Sequence, residues 1–567
     1  MTPEKSEQTL SPAFIRLWLF LLIAVGAAIR LWGANYFHYS ADEAMHANIA
    51  KGFDLAEVLS FSHYEIHPPL LYILTHYWMS FSYAPAFVRC LPLIFGLLLI
   101  PLYYRIGHKL NGEMTGLCCA ALIAFSNGCI IQSYVVRQYI FLIFFFSLAY
   151  ERYLNWRETG RMGTLAAYSA CATLACLFHF SGIFCIACLG LYHFIGMARH
   201  RAPLRSYLPW ILANAVPGLI AIAVYLSWRP ILVPLQSYFA THTTGTLASR
   251  LIHTLFYPLV TSGYVLPGYA SALILLLAQV WVVIAPPHFI RNLPGLRSLL
   301  GLTLIAYGLG MFLVITRLYP EPGTRHSMWV LPFVLPAAGW ILADSCRWLA
   351  SLYPGKPLPL SVMAACVMAL GIVTYSPATR FSDGSEYVWP QEQWEDFARY
   401  LQKLNRHDII ITEKDDGIMF ANLYRVMGDD AFSGRAMATL TDYSNLHIVF
   451  NPYYPRNYSR HLFMATLLEA DARHLLVDGQ RFIFLRMAWS RSPLTDLMLC
   501  NTMDKEIVTF PPLGRKPLTR ENIYNSYAAL MIVPRQFLEE ELLAPNGKAH
   551  ACLNGLHDQV PNLKPPI

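Results

Sequence analysis

Asp42, Glu43 and His46 lie within residues 40–52, SADEAMHANIAKG, and Glu65 and His67 within residues 65–72, EIHPPLLY. These ionisable groups follow closely on an apolar run, Phe14 to Ala34. A carboxylate beside an attacking hydroxyl takes its proton as a new bond forms. An arginine stabilises charge on a departing phosphate, because its planar fork donates to two oxygens at once. Arg137, in SYVVRQYIF, and Arg325, in GTRHSMWVLP, stand beside apolar runs of the chain. Asp42 and His46 are four residues apart, so a helix puts them on one face. Pro68 and Pro69, after His67, fix the backbone and suit the start of a helix at LLYILTHYWMSF. That stretch is apolar, carries Tyr and Trp, and is too short to span a bilayer. It reads as an interfacial helix along the outer leaflet.

Taken singly, each of these residues is an ordinary charge in a wet loop, and Arg137 an arginine snorkelling to lipid head groups. The chain that must position them is a membrane protein. Of its 567 residues 55% are apolar and 14% charged, where a soluble chain has nearer a quarter charged. Mean hydropathy is +0.39. The net charge of +7 is modest for this length and gives no case for nucleic acid.

Eleven stretches approach the roughly 20 apolar residues a helix needs to cross a bilayer. They are Phe14–Ala34, Ala86–Tyr104, Thr115–Tyr134, Tyr139–Leu154, Thr164–Phe180, Gly182–Met197, Leu208–Trp228, Leu266–Pro286, Ser298–Thr316, Met328–Leu342 and Leu358–Tyr375. No small-residue cleavage pattern follows the first, so it reads as a retained helix rather than a signal peptide. Basic residues fall on alternate loops: Arg105 and Lys109; Arg152, Arg157 and Arg161; Arg199, Arg201 and Arg205; Arg291 and Arg297; Arg347 and Lys356. By the positive-inside rule those loops are cytoplasmic. The loop holding Asp42 to His67, the turn at Arg137, segment 229–265 and loop 317–327 then face outward.

After Tyr375 the pattern changes. WEDFARYLQKLNR has helical spacing, and DIIIT, HIVF, HLLVD, FIFLRM and AALMIV are short β-rich runs. Residues 377–567 read as an α/β domain, and an odd number of spans from an inside N-terminus puts it on the outer side. Residues 1–376 form the membrane module. Ten of the twelve cysteines lie in or beside spans, where cysteine packs as a small apolar residue. That includes Cys185 and Cys188 of CIAC. Cys500 and Cys552, in the outer domain, are able to pair in an oxidising compartment.

Asp-Glu after the first span, a His four residues beyond the Asp, then acid-x-His-Pro-Pro-Leu resembles the first outer loop of the protein O-mannosyltransferase family. The bacterial family that includes the aminoarabinose transferases of lipid A has a similar Asp-Glu and Pro-Pro-Leu. SYVVRQYIFLIFFFSLAYERYL and GTRHSMWVLPFVLP are similar to that superfamily's Arg-plus-Tyr helix and its late Arg-aromatic-Leu-Pro segment. The usual Arg-Tyr of that late segment is Arg325-His326 here. The resemblance covers about the first 376 residues. It implies the GT-C fold, catalysis in a long first outer loop, and transfer of a sugar from a polyprenyl-phosphate donor to a hydroxyl of a lipid, glycan or protein acceptor, with inversion. It implies Asp42 as the base, Glu43 orienting Asp42 or a neighbouring helix, and Glu65, His67, Arg137 and Arg325 binding the donor phosphate or substrate. The donor tail would lie among helices and membrane lipids. No cofactor is expected. One histidine, His46, with scattered carboxylates does not define a metal site, although members of the superfamily differ in metal use. His179, in HFSG, reads as a hydrogen-bonded core residue.

A transporter, or a non-catalytic membrane scaffold with a sensor domain, would share the composition. A transporter gathers its ionisable groups near mid-membrane and shows internal repeats. This chain collects them at one interface and shows no repeat. The charge pattern yields a test of orientation. A topology reporter fused after Ile567 should read the outer side, and one inserted after Lys109 the cytoplasm. A cytoplasmic signal from the Ile567 fusion reverses the topology.

Overall fold

The computed structural model describes residues 11–36, 41–50, 54–62, 67–82, 84–201, 203–242, 294–316 and 325–351. Beyond these it describes four strands and short pieces between residues 396 and 547. The chain divides into two compact units. One contains Met1–Ala34, Leu59–Leu74 and Arg89–Arg380, the other Asn35–Val58, Thr75–Val88 and Phe381–Ile567.

Among the described residues six helices are long and apolar enough to cross a membrane. The chain is an integral, multi-pass membrane protein. Helix α1, Pro12–Tyr36, begins where Ser11 Oγ accepts the Phe14 amide at 3.2 Å and Pro12 takes the first helical position. Short helices α2 (Ala41–Ala50), α3 (Leu55–Ser62) and α4 (Leu70–Met79) follow. Helix α4 is the helix expected after the Pro-Pro pair. Its Leu71, Tyr72, Thr75 and Met79 are buried.

Helix α5, Pro85–Phe125, contains two of the expected spans. The helix is interrupted at Asn111 and Gly112, where Gly112 has φ +81°, a conformation that costs glycine little. The two halves fold back on each other. A Cβ on Gly107 would lie 2.6 Å from the Thr115 carbonyl oxygen, and one on Gly116 2.7 Å from that of Tyr104. Only hydrogen fits at either position. Helix α6 (Asn127–Gln132) is short, with Ser126 as its N-cap.

Helix α7, Tyr139–Thr159, is the buried axis of its unit. Tyr139 to Ile143, Phe146, Ala149, Tyr150 and Tyr153 are all buried. It stops at Gly160, which adopts a left-handed φ of +66° and donates its amide to the Trp156 carbonyl. Phe141 stacks on Phe178 and packs at a tilt against Phe95, with ring centroids 4.8 Å apart in each pair. Helices α8 (Met162–Phe178), α9 (Gly182–Arg199) and α10 (Leu208–His242) follow. After these come α11 (Pro294–Ile315), a 3₁₀ segment Arg325–Val330, and α12 (Leu331–Ser351).

Nine of the eleven expected spans coincide with these helices; Leu266–Pro286 and Leu358–Tyr375 lie outside the described residues. Helix α10 runs past the expected end at Trp228 into what was read as outer loop. Pro230 and Pro234 lie inside that extension, and proline erases the sequence signal for a continuing helix. Cys185 and Cys188 are buried free thiols, as their apolar setting implies.

Two buried arginines lock this unit. Arg30, fully buried, donates to Ser133 Oγ at 3.0 Å and to the carbonyls of Gly26, Ala124 and Ile123 at 3.1, 3.0 and 3.1 Å. Those of Ile123 and Ala124 belong to the last turn of α5, where carbonyls have no partner within the helix. Arg89, 1% exposed, donates to the Ala34 carbonyl at the end of α1 at 2.9 Å.

In the other unit, β1 (Ile409–Thr412), β2 (Arg481–Met487), β3 (Glu506–Phe510) and β4 (Ala528–Pro534) form one sheet in the order β1-β2-β4-β3. β1 pairs parallel with β2, and β4 antiparallel with β2 and β3. Successive residues Ile483, Phe484 and Leu485 of β2, and Ala529 to Met531 of β4, are fully buried, so the central strands are covered on both faces. Strand β3 was not among the expected runs. Its EIVTF is half polar and follows a charged stretch, which hid it. The expected HIVF and HLLVD strands, most of the helix at 394–406, and Cys500 and Cys552 lie outside the described residues.

Replacing Arg30 by methionine keeps the bulk and removes the donors. It leaves the Ile123 and Ala124 carbonyls without partners, at about 1–3 kcal/mol each. Arg30→Met should therefore melt markedly below the parent in detergent. An unchanged melting temperature means the arginine is not a structural clamp.

Candidate active site

Val135 and Val136 enter an irregular turn between α6 and α7, and Arg137 follows, 3% exposed. The turn is held from behind by the Arg30–Ser133 bond. Gln138 is the N-cap of α7 and makes no side-chain capping bond. Its Nε2 instead lies 3.4 Å from the Tyr72 hydroxyl of α4. The first amides of α7 and their positive dipole thus stand beside Arg137, a setting suited to an anion.

His67 meets Arg137 here. His67 Nε2 is 3.3 Å from Arg137 Nη2. A guanidinium only donates, so Nε2 accepts and the ring proton of neutral His67 resides on Nδ1. Burial holds His67 well below the usual histidine pKa, and the charges of Arg137, His179, His326 and Arg325 press it further the same way.

Four further residues join the cluster. His179 caps α8, and its ring lies 5.1 Å from His67 and 4.9 Å from Tyr139. The Tyr139 hydroxyl is 3.2 Å from His326 Nδ1. Arg325, half-buried, opens the 3₁₀ segment in which His326 follows it. His179 is the residue sequence reasoning undervalued. It was read as a hydrogen-bonded core histidine, and half of it is one. Nδ1 accepts the Ser181 amide at 3.1 Å and the Ser181 hydroxyl at 2.7 Å. Nε2 has no partner among the described residues. A lone histidine at a helix end has no periodic signature, and only its Ser181 neighbour hinted at the fixed ring.

Arg137 and the basic cluster near Arg157 lie at opposite ends of α7, about 30 Å apart at 1.5 Å per residue. At the far end Glu151 is fully buried and pairs with Arg105 at 2.8 Å and Arg152 at 2.9 Å.

The remaining expected site residues belong to the other unit or fall outside the description. Asp42 and Glu43 occupy the first turn of α2, where carboxylates suit the helix dipole. Glu43 is fully buried and Asp42 half-buried. His46 is buried with Nε2 3.0 Å from Thr75 Oγ1, and His76 Nδ1 donates to the Ala50 carbonyl at 2.8 Å, so α2 and α4 are bonded to each other. Glu65 lies outside the described residues. Among the described residues no group of three or more His, Cys, Asp or Glu is placed to hold a metal.

No protein-family profile matches the chain, and no curated protein matches it in sequence. Several solved structures are similar. The apo oligosaccharyltransferase of Archaeoglobus fulgidus has 12% identity and a TM-score of 0.48 over 84% of this chain and 70% of its own. ArnT from Cupriavidus metallidurans, in the apo state, has 14% identity and a TM-score of 0.45 over 92% and 98%. ArnT bound to undecaprenyl phosphate has 14% identity and a TM-score of 0.44 over 91% and 98%. These proteins have the GT-C fold that the loop motifs of this chain resemble. None of the TM-scores reaches 0.5, and the chain's own residues carry the functional assignment.

The buried neutral His67 sets a pH dependence. In the unfolded chain it titrates near 6.5, and in the folded chain burial and Arg137 hold it well below that. In that range the unfolded state binds more protons. Stability is therefore full above about pH 6.5 and falls as pH drops below it, by up to about 1.4 kcal/mol per pH unit. Thermal melts in detergent at about pH 7 and 5 should show a larger acid loss for the parent than for a His67→Gln variant. Equal losses contradict neutral burial.

Proposed function

We propose that the chain is an integral-membrane glycosyltransferase that moves a sugar from a polyprenyl-phosphate donor to an acceptor hydroxyl on the outer side of the membrane. The single observation that carries this reading is the buried contact of His67 with Arg137 beside the uncapped start of α7. A guanidinium and helix amides that only donate, joined by histidine N–H groups, suit a phosphate. His67 belongs to the stretch whose His-Pro-Pro motif resembles the O-mannosyltransferase loop. A transporter reading has no such support.

The acceptor oxygen attacks the anomeric carbon from the face opposite the phosphate, and the carbon–oxygen bond to phosphate breaks. The acceptor proton passes to a carboxylate, and polyprenyl phosphate departs with the electron pair. Displacement in one step inverts the anomeric centre. The resemblance assigns the base to Asp42, and its half-buried carboxylate suits a group that must meet an acceptor. Buried Glu43 then orients α2. Arg137 and Arg325 hold the phosphate oxygens, His67 adds a hydrogen bond, and Glu65 completes the loop. No step needs a metal.

Asp42→Asn keeps the shape and removes the proton acceptor. Transfer from a polyprenyl-phosphate sugar should fall by about 100-fold or more, while binding of undecaprenyl phosphate stays near the parent's. Arg137→Ala should weaken that binding, and Arg137→Lys should recover only part of it, since a point charge does not reproduce the fork. Near-normal transfer by Asp42→Asn eliminates it as the base. Parent-like binding by Arg137→Ala leaves that arginine an interfacial anchor.

A further inference from the structure

We propose that His179 is a direct ligand of the phosphate held at the His67–Arg137 cluster, donating a hydrogen bond from Nε2. The proposal deepens the reading above and rests on it. His179 was not among the residues that the loop motifs single out, and the case for it is geometric.

The Ser181 amide is an obligate donor, so Nδ1 of His179 must be the acceptor, and the neutral ring carries its proton on Nε2. The two bonds to Ser181 fix the ring, with Nε2 on the edge away from Ser181. His179 is 4% exposed, and its Nε2 finds no acceptor among the described residues. A buried donor left without an acceptor costs about 1–3 kcal/mol. Such groups are rare in folded proteins and mark a ligand or catalytic position. The surroundings specify the ligand's charge. The ring is within 5.1 Å of His67 and 4.9 Å of Tyr139, the first residue of α7, and feels the charges of Arg137 and Arg325. An acceptor that enters between cations, helix amides and a fixed N–H is an anion with several oxygens. A phosphate monoester meets that description.

Two substitutions separate this role from a structural one. Asparagine places its amide oxygen near the position of Nδ1, so His179→Asn keeps a partner for Ser181 and loses the Nε2 donor. Glutamine reaches to the position of Nε2, so His179→Gln keeps a donor there and gives up the Ser181 bonds. Undecaprenyl phosphate and dodecyl phosphate are titrated against the full-length parent and both variants in detergent, with melting temperatures recorded alongside. The expected result is that His179→Asn melts near the parent but binds about tenfold or more weakly, while His179→Gln retains most of the affinity. The reverse order, with weak binding only in His179→Gln, or parent-like binding by both, overturns the proposal. A parent that binds dodecyl phosphate but not undecaprenyl phosphate overturns the polyprenyl reading alone, and the two variants are then compared on dodecyl phosphate. A parent that binds neither overturns both.

Discussion

A cation within an apolar layer must be surrounded by acceptors, and Arg30 meets that demand with the backbone of its neighbours. Its bonds to the carbonyls of Ile123 and Ala124 and to Ser133 tie α1 to the end of α5 and to the turn beyond it. Losing any of these acceptors would leave charge in a medium that does not solvate it. The turn that follows is irregular, and irregular backbone persists at membrane depth only where protein covers it. Arg137 emerges from this turn. The position of the candidate phosphate site is thus set by an arginine that takes no part in it. Arg89 does the same for the end of α1 through Ala34.

Helix α7 has two chemically different ends. Its N-terminal end has histidines kept neutral by burial beside Arg137, with ring nitrogens oriented by fixed partners. Its C-terminal end has formal ion pairs, with Glu151 wholly enclosed by Arg105 and Arg152 and bonded by Asn155 at 3.0 Å. The second arrangement closes its charges internally and is suited to holding helices. The first directs an N–H toward no acceptor among the described residues and is suited to receiving one from outside. The exposed Lys109–Glu158 pair contributes little to either.

Hydropathy alone located most of the membrane helices, because a span is long and each apolar residue adds to the same signal. It did not show that α5 is one folded-back pair, which depends on Gly107 meeting Gly116, nor that α10 passes through its prolines. The Asp-Glu and His-Pro-Pro stretches were visible as clustered ionisable groups in an apolar chain, whereas the contact of His67 with Arg137 is visible only in the fold. His179 was not visible as a site residue. Its importance lies in which ring nitrogen Ser181 occupies, a matter of geometry that one letter does not record. Strand β3 was missed for the opposite reason: its apolar residues are too few to stand out without the partners in β4.

The halves of α5 join through the two residues Asn111 and Gly112, and their closest approach involves glycines only nine positions apart. They are able to pair during synthesis as soon as both have left the ribosome, with no help from later chain. Arg30 is in a different situation. Its acceptor at Ala124 is 94 residues downstream. Helix α1 must therefore wait, with its guanidinium shielded by water, head groups or the insertion machinery, until α5 is complete. The hairpin of α5 thus needs only its own residues, whereas the arginine clamp needs both helices.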